Sequence, residues 1–166
     1  MAQLQVVYTS RAPEPLPQFS QAVKHNGMVY CSGNIGIAPS TAKLVGGTVK
    51  DRTASLLRMF ISTGVCPDAD TNQRQALRNL SVILEAAGSS LQNVVKMNIF
   101  LTSMENFAMM NEAYDEFFVW ETKPVNASSG TWLFLADAKE SRTCVAVYQL
   151  PFGTDVEIEC IAFASK

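Results

Sequence analysis

Two segments near the C-terminus have the character of β-strands, and the second alternates between apolar and polar residues, which is the pattern of a strand that has one face in a core. The first covers residues 142–147 and the second covers residues 156–162. Side chains two apart on a strand point to the same face. This rule places Glu157 and Glu159 on one face of the second segment and an apolar set on the other face, namely Val156, Ile158, Cys160 and Ala162. We therefore predict two strands of a sheet that is covered on one side.

The connection between the two segments, residues 150–155, is short enough for a hairpin. Direct pairing would project Arg142 and Cys144 from the same side of the ribbon as Glu157 and Glu159. Because a guanidinium binds carboxylates through two parallel hydrogen bonds, this arrangement predicts a site for a small organic acid. The alternative interpretation is an ordinary cross-strand salt bridge on a sheet surface.

The composition is that of a globular protein with no sign of a nucleic-acid or membrane partner. Of the 166 residues, 48% are hydrophobic and 17% are charged, which predicts a single domain over residues 1–166. The 13 basic residues are balanced by 15 acidic residues and form no cluster, so binding through phosphate neutralisation is not expected. No apolar run approaches the roughly 18 residues of a membrane span.

Cysteine and histidine usage gives no indication of a metal site. Cys31, Cys66, Cys144 and Cys160 lack the spacing of metal ligands, and His25, the single histidine, lies in a turn. With no signal-peptide pattern, we expect free thiols in a reducing compartment. The predicted location is the cytoplasm, with the mitochondrion as the alternative. No glycine-rich phosphate loop is present, so we expect chemistry without a metal or nucleotide cofactor.

The rest of the chain predicts further strands and two helices. Asn26-Gly27 separates residues 19–24 from residues 28–32 and is typical of a two-residue hairpin. Residues 73–87 carry an apolar stripe at helical spacing, and Gly88 follows as the C-terminal cap. The stripe consists of Leu77, Leu80, Ile83, Leu84 and Ala87.

A strand and a second helix follow. Residues 94–102 alternate, with Val95, Met97, Ile99 and Leu101 on the expected core face. Ser103 is the expected N-cap of a helix whose apolar stripe faces the core; the stripe is Phe107, Met110, Tyr114, Phe117 and Phe118. This order predicts an α+β sheet with both helices on one face. The other face, expected to carry Lys96, Asn98, Arg142 and Glu157, would meet solvent or another subunit.

Nine short motifs occur in one order along about three quarters of the chain, at residues 19–22, 29–35, 44–47, 75–80, 84–91, 93–102, 111–114, 142–147 and 156–162. Together they resemble the Rid/YjgF family of enamine/imine deaminases, also called endoribonuclease L-PSP. The resemblance implies a chorismate-mutase-like α+β fold, assembled as a homotrimer with ligand clefts between subunits. It also implies cofactor-independent hydrolysis of reactive imines of the 2-aminoacrylate type to 2-oxo acids and ammonia.

The resemblance also implies the catalytic residues. Arg142 matches the arginine that grips the substrate carboxylate, and Glu157 matches the carboxylate that positions or activates water. Cys144 matches a thiol that lines the cleft.

Four further residues are the expected substrate-binding set. Ser32 and Gly33 match the polar wall of the cleft, and Asn98 lies on the polar face of its strand. Phe19 stands where the family commonly has tyrosine, so a hydroxyl is missing there. This difference leaves open a non-catalytic trimer that binds small carboxylates or acts as a regulator. A ribonuclease or translation inhibitor is a third hypothesis, which the acidic net charge of −2 disfavours.

Two segments, at about residues 54–73 and 126–141, have no counterpart in the family pattern. Without these insertions of about 20 and about 16 residues the chain has about 130, the usual family length. They are interpreted either as a lid or partner surface, or as neutral additions or wrongly translated intron sequence. The second directly precedes Arg142, so even a shift of about 1 Å there would weaken carboxylate binding.

Overall fold

The computed structural model describes residues 3–47, 75–118 and 140–164. The two insertions predicted from the sequence lie outside these residues, apart from the last two positions of the second. The strands are β1 (Gln5–Val7), β2 (Ala22–His25), β3 (Met28–Asn34), β4 (Ile37–Ala38), β5 (Lys43–Leu44), β6 (Val94–Leu101), β7 (Ser141–Ala146) and β8 (Val156–Phe163). The helices are α1 (Gln75–Ala86) and α2 (Phe107–Asp115).

Six strands form one mixed sheet in the order β1-β2-β3-β8-β6-β7, and β4 pairs with β5 in a separate small ladder. All neighbours in the large sheet are antiparallel except β6 and β7. The predicted hairpin is confirmed, since β2 and β3 flank Asn26 and Gly27, which have φ angles of 50° and 76°. Two successive positive φ angles match the right-handed twist of the paired strands.

Both helices share one hydrophobic core with a single face of the sheet, as predicted. The α1 stripe is buried throughout, and Gly88 ends the helix with φ +73°. The predicted α2 stripe is also buried, with Phe107 only partly covered. Ser103 caps a short 3-10 turn before α2, where its hydroxyl accepts a hydrogen bond from the Glu105 amide at 3.2 Å. Each fully buried leucine of α1 contributes roughly 2 kcal/mol of transfer free energy.

The predicted hairpin between β7 and β8 is wrong, because β6 lies between these strands. β6 pairs in parallel with β7 along one edge and antiparallel with β8 along the other, so β7 and β8 share no edge. The chain after β7 therefore crosses the end of β6 before β8 begins.

The strand register places Arg142 on the sheet face opposite to the predicted one. Arg142 pairs with Met97, which pairs with Cys160, so these three side chains share the helix-covered face. The expectation that Arg142 lies on the same face as Glu157 is therefore wrong.

A second correction concerns the start of β6. The register shifts between Val94 and Lys96, so Val94 enters the core and Val95 is 42% exposed. The bulge reverses the alternation that predicted Val95 as a core residue. The helices of the described residues are all too short or too polar to cross a bilayer.

Candidate active site

A groove of about 390 Å³ opens on the sheet face that the helices leave uncovered. It lies where the end of β3 meets the start of β8, against the segment that precedes β2. Its lining residues are Pro13, Glu14, Pro15, Phe19, Ser20, Gln21, Ser32, Gly33, Asn34, Ile35, Ile37, Glu157 and Glu159. Among the predicted site residues, the groove thus unites Phe19, Ser32, Gly33 and Glu157.

Gly33 and the Glu157 carboxylate approach each other closely at the floor of the groove. The β3–β8 register is irregular between Cys31 and Asn34, and Gly33 lies within this irregular stretch. A Cβ atom at position 33 would lie 1.8 Å from Glu157 Oε1 and 2.8 Å from Glu157 Cδ. Glycine therefore allows this position of the carboxylate, which occupies the space that a side chain at position 33 would fill.

Two carboxylates with different surroundings face the groove. Asn98 Nδ2 donates a hydrogen bond of 2.8 Å to Glu159 Oε1, so Asn98 acts on the groove through Glu159. Glu157 is half-buried, and burial first, then the neighbouring negative charge of Glu159, raise the pKa of Glu157. A carboxylate with a raised pKa is a stronger base once ionised, which is the property that a general base needs.

The N-terminal wall of the groove is fixed by Gln21, which is only 5% exposed. Its Oε1 accepts from the Thr9 amide at 2.7 Å, and its Nε2 donates to the carbonyls of Thr9 and Pro13, both at 2.9 Å. This amide holds the proline-rich segment against the sheet and so forms the wall that includes Glu14. The sequence motif containing Gln21 gave no role to this side chain.

The opposite wall is fixed by a second buried amide, that of Asn79 in α1. Its Nδ2 donates to the carbonyls of Ile35 and Ile37 at 3.2 Å and 3.1 Å. Its Oδ1 accepts from Gln75 Nε2 at 2.8 Å. The turn after β3 is therefore tied to the core helix, and α1 supports the groove although no side chain of α1 lines it.

The rim of the groove consists of Ser32 and Phe19. Ser32 Oγ donates to the Ser20 carbonyl at 2.7 Å, and the oxygen lone pairs remain available to a ligand. Phe19 is 63% exposed and supplies an apolar edge.

Arg142, Cys144 and Tyr114 form a second group on the helix-covered face, at the sheet edge made by β7. The Arg142 Cζ atom lies 4.7 Å from the centroid of the Tyr114 ring. Burial raises the pKa of the Cys144 thiol, and the charge of Arg142 partly opposes this shift. Within one protomer, the sheet itself separates this group from the groove. Among the described residues, no group of three His, Cys, Asp or Glu side chains is arranged to hold a metal.

Known proteins resemble this chain along nearly its whole length. The endoribonuclease L-PSP family model matches residues 9–63 and 61–164. A RutC family protein of Pyrococcus horikoshii is 34% identical over 159 residues, which cover 96% of this chain and 97% of that protein. The chloroplastic Reactive Intermediate Deaminase A of Arabidopsis thaliana is 31% identical over 158 residues, covering 95% of this chain and 65% of that protein.

The fold is also that of a solved structure. The crystal structure of E. coli TdcF with bound serine matches with a TM-score of 0.70 at 28% identity, over 97% of this chain and 99% of that chain. Sequence motifs, sheet order and these matches agree. The chain therefore belongs to the endoribonuclease L-PSP family, the Rid/YjgF family that its motifs predicted.

Proposed function

We propose that the protein hydrolyses reactive enamines and imines of the 2-aminoacrylate type to 2-oxo acids and ammonia, at sites shared between subunits. The observation that carries the proposal is the separation of Arg142 from Glu157 on opposite faces of one sheet. A site that uses both residues needs Arg142 from one protomer and Glu157 from another. The proposed assembly is the homotrimer, in which each subunit gives its β7 edge to the next and the ring closes.

The charges of the groove support a shared site. Glu14, Glu157 and Glu159 line it, and none of the described residues in its lining is an arginine or a lysine. A 2-imino acid carries a carboxylate that these groups repel, so the groove by itself favours only the cationic iminium end of the substrate. The guanidinium of a neighbouring subunit supplies the missing bidentate partner for the substrate carboxylate.

The surface around the groove supports contact between subunits. A row of apolar side chains crosses the uncovered sheet face in register from β1 to β8, through Val6, Val23, Tyr30 and Ile161. Val6 is 66% exposed and Tyr30 is 41% exposed in one protomer. A continuous apolar row on a sheet face is typical of a surface that is covered in an assembly.

The chemistry follows from this arrangement. The enamine takes a proton at carbon and becomes an iminium ion, whose carbon is electrophilic. Arg142 holds the carboxylate, and Glu157 accepts a proton from the water that attacks the iminium carbon. The attack on the iminium carbon gives a carbinolamine, to whose nitrogen Glu157 returns that proton; the C–N bond then breaks and ammonia leaves as the hydroxyl gives its proton back to Glu157 and the C=O bond forms. One water is consumed for each ammonia released, so no cofactor is required.

Two observations bear on the alternatives. Phe19 supplies no hydroxyl at the rim, which favours a non-catalytic trimer that binds small carboxylates as the second candidate. RNA cleavage is not proposed, because a groove lined by three carboxylates repels phosphates. The cytoplasmic location stays a prediction.

The test is release of ammonia and pyruvate from freshly generated 2-aminoacrylate, with wild type and Arg142→Ala compared side by side. We expect acceleration by the wild type alone. Pyruvate binding without turnover would favour the non-catalytic candidate, and equal acceleration by both proteins would refute the role of Arg142.

A further inference from the structure

The contact between Arg142 and Tyr114 leaves the arginine ready to bind an anion. The guanidinium lies over the Tyr114 ring, with 4.7 Å between Cζ and the ring centroid. In such a contact the cation meets the negative face of the ring. The N–H donors of a guanidinium lie in its plane, so a guanidinium that lies flat on the ring keeps its edges available to a carboxylate.

Tyr114 is itself held on three sides. It is only 2% exposed, and its ring stacks on Phe118 with centroids 4.4 Å apart and an interplanar angle of 18°. Its hydroxyl donates a hydrogen bond to Oε1 of Glu140, the residue immediately before β7. Burial and the Glu140 carboxylate raise the pKa of Tyr114, so the phenol stays neutral. The ring is therefore a fixed surface beside an exposed edge strand.

We infer that Tyr114 is the positioning residue for Arg142: its buried ring selects the guanidinium orientation in which the N–H edges face the substrate carboxylate. This inference rests on the proposed function. An arginine on an exposed edge strand otherwise samples many rotamers, and each substrate would have to order it again. The apolar stripe that predicted Tyr114 as a core residue is compatible with this role, since the ring is in the core and only its face meets Arg142.

The test compares Tyr114→Leu, which removes the ring, with Tyr114→Phe, which keeps the ring and removes the hydroxyl. Phe117→Leu is the matched control, since Phe117 is a buried aromatic residue just beyond the same helix. Each variant is assayed for pyruvate affinity by calorimetry, for KM and kcat with 2-aminoacrylate, and for thermal stability. Tyr114→Met, which fills the space with a flexible side chain, replaces Tyr114→Leu if that variant does not fold.

We expect Tyr114→Leu to weaken pyruvate binding and to raise KM, each by roughly tenfold, with little change in kcat. The reason is that Arg142 binds the substrate carboxylate equally in the ground state and in the transition state. Tyr114→Phe should stay within about twofold of wild type, and Phe117→Leu should lose stability without losing affinity. Equal affinities of Tyr114→Leu and Phe117→Leu, or equal loss in Tyr114→Phe and Tyr114→Leu, would overturn the inference. Failure of the proposed function is distinguishable, because it appears as an inactive wild type or as an Arg142→Ala variant with unchanged activity.

Discussion

Replacing Gly33 by alanine is expected to abolish most activity while the fold survives. The new Cβ would lie 1.8 Å from Glu157 Oε1, whereas ordinary contact begins at about 3.4 Å. The carboxylate must therefore move by at least about 1.6 Å. Misplacement of a catalytic group by about 1 Å lowers rates by roughly 10²-fold, so we expect kcat/KM to fall at least 10²-fold, about 2.7 kcal/mol of transition-state stabilisation.

The stability of Gly33→Ala should change little, because the clashing atoms belong to the far end of a flexible side chain. Gly46→Ala is the matched control, since no atom of the residues that the structure describes lies within 4 Å of the Cβ position there. The assay is imine hydrolysis combined with thermal unfolding of both variants. A folded Gly33→Ala protein with the kcat/KM of Gly46→Ala would refute the argument. The argument would also be refuted if Gly33→Ala lowered kcat/KM by the same factor in a Glu157→Gln protein as in the wild type, because the effects of two substitutions that act through one contact are not additive.

Two further predictions concern the supports of the groove. Asn79→Ala removes the side-chain amide that donates to the carbonyls of Ile35 and Ile37. It should lower the free energy of unfolding by about 3 kcal/mol, measured by denaturant titration. An unchanged denaturation midpoint would contradict the role of the Asn79 amide. Glu159→Gln removes the negative charge that helps raise the pKa of Glu157, so the acid limb of the kcat/KM–pH profile should move to lower pH, and a shift to higher pH would contradict the assignment of Glu157 as the base.

The alternation within β8 predicted correctly which of its side chains face the core and which face away from it. Periodicity within a strand says nothing about its neighbours, however, so the sequence could not reveal that β6 separates β7 from β8. The bulge at Val95 was equally hidden, since a register shift leaves the apolar pattern unchanged. Gln21 and Asn79 were missed because polar side chains are usually exposed, and only their hydrogen bonds show why they are buried.

The most direct test of the central claim, that Arg142 and Glu157 act from different subunits, is complementation between two inactive variants. Arg142→Ala and Glu157→Gln protomers with different affinity tags are coexpressed, and oligomers that carry both tags are purified. If sites form between subunits, each mixed trimer contains one intact site of three, so the purified mixed trimers should have about a third of wild-type activity. Mixed oligomers as inactive as either parent, formed from variants that fold and assemble normally, would contradict the account.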